Sequence, residues 1–264
     1  MPDTDRPADS TRVHGVDFSA AARDAGEKTW VATGTVAAGE LRIESVEPLV
    51  EFADLSSADR DEALQALTTW IQELDESAVV GLDFPFGLPR FIVEETGHDS
   101  WRSFINGFPD TLIHGPADGD DDDTDDPVRA FAERCVELTD EHGEGTYDKR
   151  ETDGAVGARS PYGFIADTIT FYGMRDVLAP VADAVRVEPM DSLGNDRPET
   201  AGPTLVETYP AAVLDALGLC RTNYKGSSDA ERTRRRRNAE GLASESDVVY
   251  KQPEDLVDRI VAND

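Results

Sequence analysis

The chain has 264 residues, which is enough to bury a substantial core within one elaborated domain. Its 55 acidic residues against 25 basic ones give a formal net charge of -30, a balance typical of proteins that work in very high salt, where charges are screened from one another. The 39% of hydrophobic residues, arranged in clearly periodic segments, excludes an acidic disordered protein.

The cysteine pattern and the N-terminus favour a protein of the cytoplasm. Cys135 and Cys220 lie far apart, with no CxxC motif and no Cys/His cluster of zinc spacing. The sequence has no run of about 18 apolar residues, and its first residues, MPDTDRPADST, are acidic rather than a basic and then apolar leader. We therefore expect a soluble cytoplasmic protein with no membrane partner, in which residues 1–11 are a disordered tail and 12–264 form a single domain.

Extended segments dominate the first part of the chain. The pattern predicts strands at Arg12–Phe18, Thr29–Val36 and Leu41–Glu47, with a tight turn at Ala38-Gly39-Glu40 that makes the last two a hairpin. Ser56 and Asp59 resemble a capping box before a helix that continues to Leu74. Val79–Asp83 is a continuous apolar run, which is typical of a strand covered on both faces.

The stretch from Leu88 to about Val185 is predicted to be mostly helical, with helices at Trp101–Phe108, Val128–Glu141 and Ile165–Leu178. Its acidic block, Asp118–Asp126, lacks the spacing of a calcium loop and is interpreted as a solvated loop.

The last third of the chain returns to alternating strands and helices. Strands are predicted at Ala184–Val187 and Pro203–Tyr209, and helices at Ala211–Leu217, Asp229–Leu242 and Glu254–Val261. The whole order predicts an α/β fold with a mixed sheet and a long helical insertion, residues 88–185, between the fourth and fifth core strands.

Three predicted strands end in a carboxylate, namely Asp17, Asp83 and Glu207. A carboxylate beside an apolar strand is costly unless it is hydrogen-bonded, paired or bound to a cation. Taken singly, each could be a turn or capping residue. Three of them on separate strands suggest one common site, because neighbouring strands can place side chains on one rim of a sheet.

A divalent cation would remove the repulsion within such a cluster. Oxygen ligands with no accompanying cysteine favour Mg²⁺ or Mn²⁺ over zinc, and phosphoryl transfer is the chemistry that such a site serves best. His14, inside the first strand, is interpreted as a structural residue.

Four motifs in this order resemble the DUF429 family of predicted nucleases with a ribonuclease H-like fold, here in a haloarchaeal type of sequence. They are GVDFS at 15–19, GLDFPFGLP at 81–89, VETYPAAVLDALG at 206–218 and YKG at 224–226, and KRETD at 149–153 is also similar. The resemblance implies a ribonuclease H-like core in which Asp17, Asp83 and Glu207 hold Mg²⁺ or Mn²⁺ for the hydrolysis of a nucleic-acid phosphodiester.

One departure from that family concerns the end of the chain. The resemblance implies a final helix that bears another Asp, and the sequence ends at residues 260–264, where that helix is expected to begin. Asp258 or Asp264 could take the place of the missing ligand. Either the chain is a truncated product or its fourth ligand is missing, and the C-terminal helix of the family is expected to be missing.

Basic residues bear on nucleic acid as a partner. Arg232 and Arg234–Arg237 form the single dense basic run, which either contacts phosphates or pairs internally with surrounding carboxylates. Lys225 is the strongest candidate outside the carboxylates, for catalysis as well as substrate binding. Arg150 and Arg159 are further candidates for substrate binding.

Two other functions compete with a nuclease. An actin-like nucleotide-binding phosphotransferase would cradle phosphates with backbone N–H groups, but Pro85 and Pro89 remove donors from the turn after Asp83. A non-catalytic binding module on the same fold is the other alternative.

Overall fold

A single mixed sheet organises the part of the chain that the computed structural model describes, which is residues 10–113, 126–142, 145–193, 202–245, 249–253 and 255–262. Within these ranges the sheet has seven strands in the order β5-β6-β4-β1-β2-β3-β7. The strands are β1 Thr11–Asp17, β2 Trp30–Ala37, β3 Glu40–Pro48, β4 Val79–Leu82, β5 Arg186–Glu188, β6 Thr204–Glu207 and β7 Val249–Lys251.

Helices fill the connections between these strands. They are α1 Ala25–Lys28, α2 Leu49–Phe52, α3 Arg60–Glu73, α4 Arg90–Glu95, α5 Trp101–Gly107, α6 Asp110–Ile113, α7 Pro127–His142, α8 Glu151–Val156, α9 Ala166–Tyr172, α10 Ala179–Val181, α11 Met190–Leu193, α12 Pro210–Ala216, α13 Asp229–Glu245 and α14 Leu256–Ala262. A π-helix, Gly173–Leu178, joins α9 to α10, and a 3₁₀ turn, Ala182–Ala184, precedes β5.

The sheet combines an antiparallel start with parallel additions, which confirms the α/β class and the mixed sheet. β1 pairs antiparallel with β2, and β2 with β3. β4 is parallel to β1, β6 to β4, and β5 to β6. The turn between β2 and β3 is tight because Ala38 and Gly39 both adopt positive φ, at 51° and 80°, which matches the right-handed twist of a two-residue hairpin.

One face of the sheet is covered by α3, whose apolar residues recur at helical spacing. Leu64, Leu67 and Ile71 of this helix are fully or almost fully buried, in the same core as Val16 and Leu82 of the sheet. Its N-cap is Asp59, whose side chain accepts a hydrogen bond from the Glu62 N–H. The N-cap therefore lies three residues after Ser56, and the prediction of Ser56 as the capping residue was wrong.

Helices between β4 and β5 extend this core with aromatic side chains. Phe108 lies 5.7 Å from Phe131 and 5.6 Å from Phe171, measured between ring centroids. The predicted helix Ile165–Leu178 divides into α9 and the π-helix, and Gly173 at their junction lies directly against the Phe84 ring.

Other predictions differ in detail or lie outside the described residues. The strand predicted at Ala184–Val187 is observed as β5, two residues later, and β7 was not predicted. β1 begins at Thr11, within the segment expected to be a tail. Residues 1–9, most of the acidic block (118–125) and Asp264 lie outside the described ranges.

In the described parts of the chain, no helix has both the length and the apolar character needed to cross a bilayer.

Candidate functional site

The ends of β1, β4 and β6 lie side by side at one edge of the sheet. Val16 pairs with Leu82, and Leu82 pairs with Glu207, in a parallel register. The ladder continues one residue further, because the Asp83 N–H donates to the Val16 carbonyl at 3.1 Å. The three predicted carboxylates therefore do reach a common edge, as neighbouring parallel strands allow.

The register also separates these carboxylates between the two faces of the sheet. Side chains alternate along a strand, so Glu207 leaves the sheet on the face of its partner Leu82. Asp17 and Asp83 each follow a residue of that face and lie on the opposite one. Among the described residues no three His, Cys, Asp or Glu side chains are grouped so that they could hold one metal ion. Asp17 and Asp83 thus form a pair on one face, and Glu207 lies on the other face, from which its charge still reaches Asp83.

The surroundings of Asp17 and Asp83 disfavour the ionised forms of both carboxyl groups. Burial raises the pKa of Asp83 to about 6, and the negative charges of Asp17 and Glu207 add to that rise. Burial also raises the pKa of Asp17. The Asp17 side chain is exposed, but it lies in a recess of the surface. The surrounding protein therefore still removes part of the hydration of its carboxylate. The pair carries a charge repulsion that a cation would relieve.

Lys225 supplies a positive charge that acts on both members of this pair. Its ammonium opposes the rise in the pKa of both Asp17 and Asp83. Arg235 holds the loop around it, since its guanidinium donates to the carbonyls of Tyr224 at 2.8 Å and Gly226 at 2.6 Å. The structure therefore brings together three of the predicted site residues.

Glu207 is engaged by Arg150 instead. The Arg150 guanidinium donates from Nη1 to Oε2 at 2.7 Å and from Nη2 to Oε1 at 2.6 Å, and it forms a second two-point contact with Asp153 at 2.9 Å and 2.7 Å. The Phe86 N–H also donates to Glu207 Oε2, at 2.9 Å. Both oxygens of Glu207 thus have protein donors, and Arg150 directs four hydrogen bonds to carboxylates of its own chain rather than to solvent.

The apolar turn after Asp83 forms a rigid wall. Phe84 and Phe86 are buried, and their rings lie 5.3 Å apart. The Trp101 indole N–H donates to the Phe86 carbonyl at 2.6 Å. Because its side chains are packed on every side, this turn fixes both Asp83 and the backbone donor to Glu207.

The remaining predicted residues lie away from the carboxylate pair. Arg159 is exposed, and its guanidinium donates to the Phe164 carbonyl at a long 3.4 Å. Asp258 of α14 pairs with Arg236 of α13 at 2.8 Å and does not join Asp17 and Asp83. His14 packs edge-on against Trp70 at 4.9 Å between ring centroids, and burial lowers its pKa to about 4.

The basic run on α13 makes contacts within the protein. Arg234 donates to the Asn223 carbonyl, Arg235 to the Val261 carbonyl, and Arg236 pairs with Glu240 as well as Asp258. These contacts favour internal pairing over phosphate binding for this helix.

An open cleft of about 810 Å³ adjoins Asp17 on its face of the sheet. Residues of β1, β2 and β3 line it on one side, and the Lys225 loop and α14 line it on the other. Sequence reasoning did not identify the cleft or the role of Asp153. The cleft depends on contacts between residues far apart in the chain. Asp153, in contrast, lies only three residues after its partner Arg150, and the KRETD motif had marked the segment that contains both.

No family model matches this chain, and no curated protein or solved structure matches it.

Proposed function

We propose that this protein is a divalent-metal-dependent hydrolase of nucleic-acid phosphodiesters built on a ribonuclease H-like core. The observation that carries the proposal is the pair Asp17 and Asp83 at adjacent strand ends, with Lys225 beside it. The antiparallel strands β1 to β3, continued through α3 into the parallel strand β4, support the ribonuclease H-like assignment.

The residues fit Mg²⁺ or Mn²⁺ as a two-carboxylate site. Asp17 and Asp83 offer hard oxygen ligands on one face. Burial raises the pKa of both carboxyl groups, and the charge of Asp17 adds to the rise for Asp83, which is the situation that a bound cation stabilises. Glu207 is committed to Arg150 in this arrangement. A cation bound here would act as a Lewis acid and lower the pKa of a coordinated water.

The chain's own groups would orient the substrate. Lys225 places an ammonium near the two carboxylates, where a substrate phosphate would be attracted. Arg235 fixes that loop from behind, and the Phe84–Phe86 wall limits the movement of Asp83. Arg150 holds Glu207 and acts as a positioning residue for this edge of the sheet.

The test is a cleavage assay in molar KCl with Mg²⁺ or Mn²⁺, using labelled single-stranded RNA and DNA, duplexes and RNA–DNA hybrids. We expect cleavage by the native chain and a loss of about a hundredfold or more in Asp17→Asn and Asp83→Asn. Asp140→Asn, an exposed carboxylate of α7, is the matched control and should retain the native rate. Equal rates in Asp83→Asn and Asp140→Asn would overturn the proposal.

A non-catalytic nucleic-acid-binding module is the second candidate, and the Arg150–Glu207 contact favours it by leaving two carboxylates for a cation rather than three. In that case the native chain would bind the labelled nucleic acids, as an anisotropy titration would show, and would not cleave them under any of the ions.

A further inference from the structure

The cleft beside Asp17 has a flat floor and an aromatic neighbour. Gly15 pairs with Ala32 across β1 and β2, and Asp17 pairs with Trp30, and all four residues line the cleft. A Cβ placed on Gly15 would meet no atom within 4 Å. A small, open patch of backbone therefore lies next to an indole, and that indole is the cross-strand neighbour of the proposed catalytic carboxylate.

The opposite wall is formed by α14 and the segment around Lys225. Leu256 and Ile260 of α14 line this side together with Tyr224. The Arg259 guanidinium donates to the Val46 carbonyl at 2.7 Å, and Arg235 donates to the Val261 carbonyl at 3.0 Å, so α14 is tied both to the sheet and to α13. The cleft is thus a slot between the sheet and a helix, with apolar and aromatic surface on both sides.

The charge of this slot is opposite to that of the whole molecule. Lys28, Lys225, Arg235 and Arg259 line it, against the carboxylates of Asp17 and Glu27. The entire chain has 55 acidic and 25 basic residues, and only four of the basic ones are lysines. Two of these four lysines, Lys28 and Lys225, lie at the slot. The lining therefore suits a ligand that is anionic at one end and flat and apolar at the other.

We propose that the slot binds one unpaired nucleotide of the substrate strand, so that single-stranded nucleic acid is the substrate class. The base lies over Gly15 and Ala32 against Trp30, and the phosphate faces Lys225 and the carboxylate pair. This inference rests on the proposed function, because it identifies Asp17 as part of the hydrolytic site.

The walls on both sides of the slot favour an unpaired base over a paired one. The slot volume of about 810 Å³ falls within the range of about 300–1,000 Å³ found for small-molecule sites. A base in a duplex would carry its partner strand with it between the sheet and α14, whereas an unpaired base enters alone. Aromatic stacking, which tolerates every base, is the usual means by which single strands are held.

The first experiment measures binding without cleavage. The full chain carrying Asp83→Asn is added to a short fluorescein-labelled oligothymidylate, which is either free or annealed to its complement. Binding is measured as the rise in fluorescence anisotropy, in molar KCl without divalent ions. We expect the single strand to bind more tightly than the duplex. On this background Gly15→Val fills the floor and Trp30→Ala removes the stacking surface, and each should weaken single-strand binding roughly tenfold.

Folding and charge have their own controls. Valine is favoured in strands, so Gly15→Val should keep or raise the stability of β1, which urea unfolding checks.

The charge control compares Lys28→Gln with Lys251→Gln. Both lysines are exposed and paired with a carboxylate, Lys28 with Asp24 at 2.8 Å and Lys251 with Glu40 at 2.7 Å. Only Lys28→Gln should weaken binding.

The outcomes separate this inference from the proposed function. Duplex binding as tight as single-strand binding, or an unchanged affinity in a folded Gly15→Val variant, overturns the slot, even if the native chain cleaves nucleic acid. Weakened single-strand binding in Gly15→Val, together with no cleavage by the native chain under any ion, supports the slot and overturns the hydrolase.

Discussion

At the scale of single residues, Asp83 links the stability of the fold to its proposed chemistry. Its pKa of about 6 in the folded protein lies above the ordinary value of 3.8. The folded state therefore binds more protons than the unfolded state between those two pH values. It follows that stability falls as the pH rises through this window, and that the full cost of holding Asp83 ionised in the folded protein is present above pH 6.

We expect Asp83→Asn to raise the free energy of unfolding at pH 7 by about 1–3 kcal/mol in buffer with a chelator. The gain should shrink towards pH 4, where Asp83 is protonated in the native protein. Urea unfolding at both pH values measures it, with Asp140→Asn as the control that should change stability by less than about 0.5 kcal/mol. A gain that does not depend on pH would contradict the assigned pKa.

Arg150 is a residue whose removal should be costly. Its side chain is 12% exposed, and it neutralises Asp153, which is 5% exposed, as well as Glu207. Arg150→Met would keep much of the apolar volume but leave a buried carboxylate without its partner, so we expect a loss of about 3–5 kcal/mol in urea unfolding. Arg159→Met, on an exposed arginine, should cost less than about 0.5 kcal/mol. Similar losses in the two variants would contradict this account.

The sequence analysis located these carboxylates but not their partners. Asp17, Asp83 and Glu207 were recognisable because each ends an apolar run. Their division between two faces depends on the register of β4 against β6, which no local pattern encodes. The Arg150–Glu207 contact spans 57 positions along the chain, so its existence could be known only from the fold.

At the scale of secondary structure, elements with strong local periodicity were predicted well. α3 and strands β1 to β3 follow from the spacing of their apolar residues and a tight turn. β7 was missed because it has only three residues and pairs with β3 across about two hundred positions. The π-helix was not predicted, because the spacing of apolar residues does not separate it from an α-helix; it begins where Gly173 approaches Phe84.

That contact gives a prediction for the helix. A Cβ on Gly173 would lie 2.4 Å from the Phe84 ring, and Phe84 adjoins Asp83 in a packed wall. We expect Gly173→Ala to destabilise the fold by about 1–3 kcal/mol through overpacking, although alanine is the better helix former by about 1 kcal/mol. Thermal or urea unfolding measures the loss.

Gly154→Ala in α8 is the matched control for this helix prediction. A Cβ at this position would meet nothing within 4 Å. The helix preference should therefore act alone and leave stability unchanged or slightly raised. If both alanine variants were stabilised, the contact between Gly173 and Phe84 would not be as close as described.

At the scale of the whole molecule, the net charge of -30 predicts that salt affects the stability of the fold. At about 0.1 M ionic strength the Debye length is roughly 10 Å, and at about 1 M it is roughly 3 Å, so self-repulsion is largely screened only at the higher value. We expect the free energy of unfolding in urea, which is uncharged, to rise steadily with KCl over this range. Stability that did not change with KCl would contradict a role for charge repulsion.

The scarcity of lysine has a practical consequence for following ligands in solution. Lys28 and Lys225 line the cleft, whereas the other two lysines, Lys149 and Lys251, are exposed and do not line it. An amine-reactive reagent therefore has four lysine targets in the chain, half of them at the proposed site. Peptide mass spectrometry after such labelling reads occupancy of the cleft directly, and Lys149 and Lys251 serve as internal standards.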